Sequence, residues 1–299
     1  MDLQLIWDLI VIGCGRGGLY ALMAVGLSLV FGVMNVPQFS HGEFYMLGAY
    51  AAYFVFRVSG FPPLIAIAAA GIAGFVAGIV VEKAVFEPLR RRANGQWVMN
   101  AFLVTVGLSV AMQNGARALW GGSYFGITRY WQTSMTLGTS MAIPLDRVMG
   151  FVIAMLTISA FWAFLRWTNT GRAIRAVAQD ETGAMLVGID PDRIRTLTFG
   201  LSTMLAAIAG GCLLSLVPAH PAVGLEPLYK SWFVVILGGL GNLGAAIPAG
   251  FLVGMFETLS YYAFGAGWQN VVSISLIILV LLFKPSGVFG GKVRGIWEK

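Results

Sequence analysis

The chain has 299 residues, of which 58% are hydrophobic and only 11% charged, with a mean hydropathy of +0.80. A soluble domain carries roughly one-quarter charged residues, so this composition excludes a soluble globular protein and indicates an integral membrane protein. The net charge of +6 is not a nucleic-acid footprint. Most basic residues fall in three patches, Lys83 with Arg90, Arg91 and Arg92, then Arg166, Arg172, Arg175, Arg193 and Arg195, then Lys284, Lys292, Arg294 and Lys299, as expected of cytoplasmic loops.

The N-terminal region carries Asp2 and Asp8 rather than a basic segment before a short apolar core, which reads as retained rather than cleaved. Uncharged runs follow at 17–40, 58–81, 93–116, 148–165, 196–225, 231–256 and 258–283, each near or above the roughly 20 residues a helix needs to cross a bilayer. Solid apolar blocks of this length exclude a transmembrane barrel, whose strands alternate over about ten residues. The 39 glycines suit close helix packing in lipid. The expected fold is an all-α polytopic membrane protein, one domain over 1–299, with about eight membrane segments that include broken half-helices.

The first run ends in a polar connector, Asn35 to Glu43, containing Pro37, His41 and Gly42. The uncharged run that follows, Phe44–Phe56, is too short to span. Glu43 suits the positive end of the helix it opens, and His41 can bond the connector backbone. Gln113 and Asn114 are read as bonding between helices or lining a pathway. Beyond them, the loop over 120–147 is aromatic, with Trp120, Tyr124, Tyr130 and Trp131, the residues that anchor membrane interfaces.

Residues 166–195 form a polar insert between apolar stretches. Its centre, 179–188, predicts a short helix with Glu181 in its first turn and Gly188 ending it. Asp190-Pro191 then supplies an N-cap and a first-turn proline for the next helix. The insert is a cytoplasmic loop with the character of a docking knob.

A second connector, Val217 to Glu226, contains Pro218, His220, Pro221 and Gly224, and mirrors the first. Glu226 and Lys230, four apart near the outer end of a helix, read as an exposed ion pair or as a contact for an external partner. With both the insert and the C-terminal tail cytoplasmic, three apolar blocks between them break parity, so one block must return to its own side. The sequence selects 231–256, with Ser231–Leu237 as a half-helix entering from outside, Gly238, Gly239, Gly241 and Asn242 turning at membrane depth, and Ala245–Tyr262 returning. Two broken helices in matching places predict inverted repeats with a transport pathway at their interface, lined by Asn35, His41, Gly42, Glu43, Gly238, Gly239, Gly241 and Asn242.

Nucleotide-loop, metalloprotease and serine-hydrolase motifs are absent, and Gly13-Cys14-Gly15-Arg16-Gly17-Gly18 lacks a preceding strand. Two histidines cannot build a histidine-rich metal site. Cys14 and Cys212 lie in apolar surroundings without metal-ligand spacing and read as core residues. No catalytic residue, cofactor-binding residue or metal ligand is assigned.

The segments Ala21–Gly32, Phe39-Ser40-His41-Gly42-Glu43-Phe44, Glu87-Pro88-Leu89-Arg90, Thr105–Ser109 with Gln113-Asn114, Gly171–Ala176, Gly188-Ile189-Asp190, Leu237–Asn242 and Phe283–Gly290 resemble the permease subunits of branched-chain amino acid (Liv-type) ABC importers, and more closely the first of their two paired permeases. The resemblance implies a multi-pass protein of the bacterial inner membrane, with its C-terminus cytoplasmic and N-terminus periplasmic. It implies ABC ATPase subunits, docked on a coupling helix through Asp180, Glu181, Ala184, Met185 and Gly188, that bind ATP-Mg while this chain holds no cofactor. It further implies a second homologous permease and a periplasmic substrate-binding protein contacting Glu226 and Lys230. The implied cargo is a small molecule: a branched-chain or other hydrophobic amino acid, or alternatively an amide, urea, or a short-chain or aromatic acid. A proton-coupled carrier working through His41 and Glu43 is the alternative from another class.

Overall fold

The computed structural model describes residues 3–92, 97–135, 143–284 and 286–289. Asp2, Lys292, Arg294, Lys299, part of the aromatic loop and the C-terminal end lie outside the described residues. Helix α1 (Leu3–Met34) begins well before the apolar run, because the helix carries Asp8 buried and Arg16 half-buried instead of breaking at them. The Gly13–Gly18 segment is therefore helix interior. Helix α2 (His41–Tyr53) continues through a π turn, Phe54–Val58. Helix α3 (Pro63–Val81), with proline in its first turn, runs through a second π turn, Glu82–Phe86, into α4 (Glu87–Arg92) as one long span.

Helix α5 (Trp97–Trp120) leads to two-residue strands β1 (Ser134–Met135) and β2 (Ile143–Pro144), paired antiparallel ahead of α6 (Leu145–Trp167). The polar insert folds as α7 (Asn169–Gln179) and α8 (Glu181–Leu186), and α9 (Pro191–Leu213) follows. The remainder is α10 (Leu225–Gly238), α11 (Leu243–Phe264) and α12 (Gln269–Phe283). Among the described residues, 6 helices are long and apolar enough to cross a membrane, whereas α2, α10 and α12, at 13, 14 and 15 residues, are shorter. The protein is an all-α polytopic membrane protein.

The helices pack through small residues. Helices α1 and α11 run antiparallel, with Gly13 against Met255, Gly17 against Phe251 and Gly250 against Ala21. Helices α3 and α9 do the same, with Gly78 against Gly200 and Gly71 against Ile208. Helix α1 is the most enclosed span and α5 the least. A side chain larger than glycine or alanine at these crossings would force backbones apart and give up dispersion contacts along their whole length.

The half-helices run in opposite directions. At its start, α2 lies level with the middle of two spanning helices, His41 beside Gly26 of α1 and Phe44 against Phe199 of α9. By Ala52 it has reached Gly211, near the end of α9 away from the insert. Helix α10 starts at the same middle level, since Gly224 packs on Gly42, and ends at the insert side, where Gly241 meets Gly32 and Gly244 meets Trp162.

This corrects the expected position of the glycine turn. The break at membrane depth is the connector Pro218–Gly224, whose prolines cannot sustain a helix, and α10 starts at Leu225 rather than Ser231. The turn at Gly238–Asn242 lies at the insert-side end, and α11 is a full crossing of 22 residues rather than a returning half. Connector and α10 together complete one passage, so an even number of passages separates the insert from Lys284 without any re-entrant block.

Candidate functional site

Two regions hold the predicted site residues. The first is the junction of the half-helices. Gly42 and Gly224 face each other so closely that a Cβ on either would enter the other's carbonyl group, and the contact requires glycine on both sides. Next to it, His41 Nε2–H donates to the Met23 carbonyl at 3.2 Å, tying α2 to α1 rather than to its own connector.

Glu43 is fully buried and does not act as a helix cap. Its Oε1 accepts from Ser109 Oγ and from Gln113 Nε2, each at 2.8 Å. Thr105, Ser109 and Gln113 recur every four residues and so form one polar stripe on α5. The Phe39 N–H donates to Thr105 Oγ1 at 3.3 Å, and the Phe39 ring lies 5.4 Å from both Phe102 and Trp232. Gln113 thus bonds between helices as expected. Asn114 instead bonds Val110 of its own helix at 2.9 Å and is exposed. Asn35 is also exposed and adopts φ 55 where α1 ends, a conformation asparagine tolerates better than most residues.

The structure does not bring Gly238, Gly239, Gly241 and Asn242 to this junction. They form a separate turn in which Gly239 and Gly241 take φ 98 and 78, the left-handed backbone expected of them. Asn242 Oδ1 accepts from the Ala245 N–H at 3.2 Å and caps α11. The Val288 N–H donates to the Leu237 carbonyl at 2.7 Å, fastening the segment after α12 across the turn.

The second region is the insert. The Asp180 backbone is extended between α7 and α8, Ala184 is buried beneath α8, and Gly188 closes it at φ 84. Met185, Leu186 and Val187 are exposed, giving the knob an apolar tip. Glu181 ion-pairs with Arg195, one turn into α9, and Arg195 also meets Asp192 at 3.3 Å. Asp192 contacts Arg90 at 3.0 Å, Arg90 contacts buried Glu82 at 3.0 Å, and Glu82 accepts from Thr196 at 3.0 Å. This chain of charges joins the knob to the ends of α3 and α9. The Asp190 side chain caps α9 through the N–H groups of Asp192 and Arg193, ahead of Pro191, as the sequence indicates.

Lys230 lies in the interior of the bundle, not near an outer helix end as the sequence suggests. It is 2% exposed, so it forms no surface pair with Glu226 and offers nothing to an external protein. It donates to Glu257 and, at 2.7 Å, to Asn270 Oδ1, while Tyr20 and Gln269 donate to Glu257 Oε2 at 2.8 and 2.9 Å. Burying a cation without such partners would cost several kcal/mol. Glu226 remains exposed. The sequence signal for this network was Glu257 itself, a lone carboxylate between two uncharged runs.

Two of the loop aromatics pack inward rather than anchoring an interface. Trp120 stacks on Tyr50 at 4.4 Å, and Tyr130, 7% exposed, donates through its hydroxyl to the Gly211 carbonyl at 2.9 Å. Burial, then the fields of Cys212 and Asp146, raise the Tyr130 phenol above its ordinary pKa. Backbone bonds between Phe125 and Ala219 lay this loop over the second connector. Cys212 is buried, Cys14 half-buried.

A helical bundle broken by two opposed half-helices, with the buried Lys230–Glu257 pair inside it, defines a membrane permease, a class whose broken helices mark a transport pathway. The chain belongs to the family described as the permease component of branched-chain amino acid transport systems, whose sequence model matches residues 9–281. It is 30% identical over 293 residues to the high-affinity branched-chain amino acid transport system permease protein LivH of Escherichia coli K12, covering 93% of each chain. It is 30% identical over 294 residues to BraD, the corresponding permease protein of Pseudomonas aeruginosa PAO1, covering 94% of each. A probable branched-chain amino acid transport permease protein of Methanocaldococcus jannaschii is 28% identical over 281 residues, or 91% of this chain and 89% of that one. Membership makes the chain a membrane component of a transport system, not an enzyme.

Proposed function

We propose that the chain is one permease subunit of an ATP-driven importer for branched-chain or other hydrophobic amino acids, and supplies half of a translocation pathway whose other half is a second, homologous permease. The observation that carries the coupling part is the knob. Its apolar tip of Met185, Leu186 and Val187 projects beyond the bundle, and Glu181 and Arg195 fasten its base to α9. An exposed apolar patch on a rigid support fits a cleft in a partner protein, here an ABC ATPase subunit that holds the ATP-Mg. Asp180, Ala184 and Gly188 shape the knob, and Met185 enters the partner.

The insert side is cytoplasmic, because Lys83, Arg90 to Arg92, Arg166, Arg172, Arg175, Arg193, Arg195 and Lys284 concentrate there. The N-terminus of α1 is then periplasmic, in a bacterial inner membrane. A periplasmic binding protein delivers substrate to the opposite face, where the loop bonded to Ala219 is presented. His41 and Glu43, each bonded to a different helix, support structure at the junction better than a proton relay.

The test is reconstitution in proteoliposomes with labelled leucine. Uptake is expected only when the ATPase subunits, second permease, binding protein and ATP are all present. Concentrative uptake by this chain alone under a proton gradient would overturn the proposal and favour the carrier.

A further inference from the structure

A cavity of about 730 Å³ opens between α1, α6, the second connector and α10, within the roughly 300–1,000 Å³ usual for small-molecule sites. It lies on the face opposite the knob, since it is lined by the first half of α1, the first turns of α6 and the first turn of α10. Its floor includes Tyr45, one turn beyond the Gly42 contact, and the buried Lys230. A molecule in this chamber is therefore directly above the junction of the half-helices.

The walls are apolar, with Leu19, Phe151 and Val217 among them, yet three charged residues line it. Arg16 comes from α1, Arg147 from α6 and Glu226 from α10. Both arginines line this one cavity from neighbouring helices. Among the described residues, no ion pair includes any of the three. Arg16 lies over the Tyr261 ring at 5.8 Å, and its Nη1 is buried without a hydrogen-bond partner. Lys230 adds no free charge, because Glu257 neutralises it.

Two neighbouring cations, one of them with a buried unsatisfied donor, call for an anion with two acceptor oxygens. One carboxylate on an apolar-walled chamber calls for a cation attached to an apolar body. We infer that this chamber is a substrate site for a zwitterionic amino acid with an aliphatic side chain: Arg16 and Arg147 take the α-carboxylate, Glu226 takes the α-ammonium, and the apolar wall takes the side chain. The assignment rests on the importer reading for its cargo class and adds to it the groups that recognise that cargo.

The test uses the assembled transporter in proteoliposomes. Arg147→Gln and Glu226→Gln should each raise the KM for leucine uptake at least about tenfold, the loss of one charge-assisted hydrogen bond. Co-purification with the ATPase subunits checks that the variants fold. Independently, a diazirine analogue of leucine should label peptides of α1, the start of α6 and the second connector. Leucine should protect against that label at least tenfold better than leucinamide, which lacks the carboxylate, or 4-methylpentanoate, which lacks the ammonium. Unchanged KM in both variants, labelling elsewhere, or equal protection by 4-methylpentanoate would overturn the assignment. Labelling of the chamber without uptake would remove the importer reading and keep the site, whereas uptake with no label there would do the reverse.

Discussion

The contact between Gly42 and Gly224 is among the tightest backbone approaches of the described residues. A Cβ added at Gly42 would lie 2.9 Å from the Gly224 carbonyl carbon, with the carbonyl oxygen closer still, and 3.0 Å from Leu228 Cβ. Ordinary contact begins at 3.4 Å, so relieving the nearer oxygen would require the half-helices to part by about 1 Å. The obstacle is backbone on both sides, and no rotamer relieves it. Overpacking typically costs about 1–3 kcal/mol; a backbone clash belongs at the upper end, about 3 kcal/mol. At roughly 2–4 °C per kcal/mol, Gly42→Ala and Gly224→Ala should each lower the melting temperature of the purified transporter by about 6 °C or more. Leucine uptake should fall with it. Gly107→Ala on α5 is the control, since nothing lies within 4 Å of its added Cβ and removing a helix-interior glycine gains up to about 1 kcal/mol. If Gly42→Ala melted and transported like Gly107→Ala, the half-helices would not meet there and the account of the junction would fail.

Removing Lys230 alone should be severe: Lys230→Met leaves Glu257 buried without its cation, at a cost of about 3–5 kcal/mol, whereas Lys230→Met with Glu257→Leu should recover most of that in thermal melts. Glu181→Lys sets two cations against each other at the base of the knob. Because Glu181 is 43% exposed, stability should change by no more than about 1 kcal/mol, while ATP hydrolysis should cease to drive uptake; normal coupling in this variant would place the drive elsewhere. Thiol accessibility separates the two regions that the sequence joined. Leu240→Cys, at an exposed position, should react with a water-soluble reagent from the knob side, and Phe44→Cys, at a buried one, should react only if transport opens the junction, so equal reactivity at rest would contradict the fold.

Much of this architecture is legible in the sequence because it rests on local rules. Pro191 after Asp190 marks the start of α9, Gly188 marks the end of α8, and Gly239 and Gly241 take the left-handed backbone a tight turn needs. What local rules miss are partners brought together by folding. The four-residue spacing of Glu226 and Lys230 suggests a surface pair, but Lys230 turns inward to a carboxylate 27 positions away. Glu43 in a first helical turn suggests dipole compensation, but its donors come from α5. Apolar run length misplaces the start of α1 because Asp8 is buried rather than excluded, and it misplaces the depth of the glycine turn because the proline connector before Leu225 already completes the passage.

Helix α9 relates the knob to the junction. Its first turn holds Arg195, which grips Glu181, and Thr196, which donates to Glu82 at the π turn after α3. Two turns on, Ser202 donates to the Gly26 carbonyl of α1 at 2.7 Å, beside His41, and Phe199 packs edge-on against Phe44. Further along, Thr203 donates to Gly74 of α3, and Gly210 packs on the backbone of Tyr45. An α-helix transmits displacement along its axis with little loss, and glycine-mediated contacts leave no flexible side chain to absorb it. If the knob docks an ATPase as proposed, movement of Glu181 would reach the first turn of α2 through one rigid element. Helix α10, held at Gly224 by the other side of the same contact, must respond at its far end, where Gly239 and Gly241 give the backbone the freedom to turn. The proposed coupling through a rigid helix and a glycine contact would require no charged residue at the junction itself, where Glu43 Oε1 accepts from Ser109 and Gln113 and His41 Nε2–H donates to Met23.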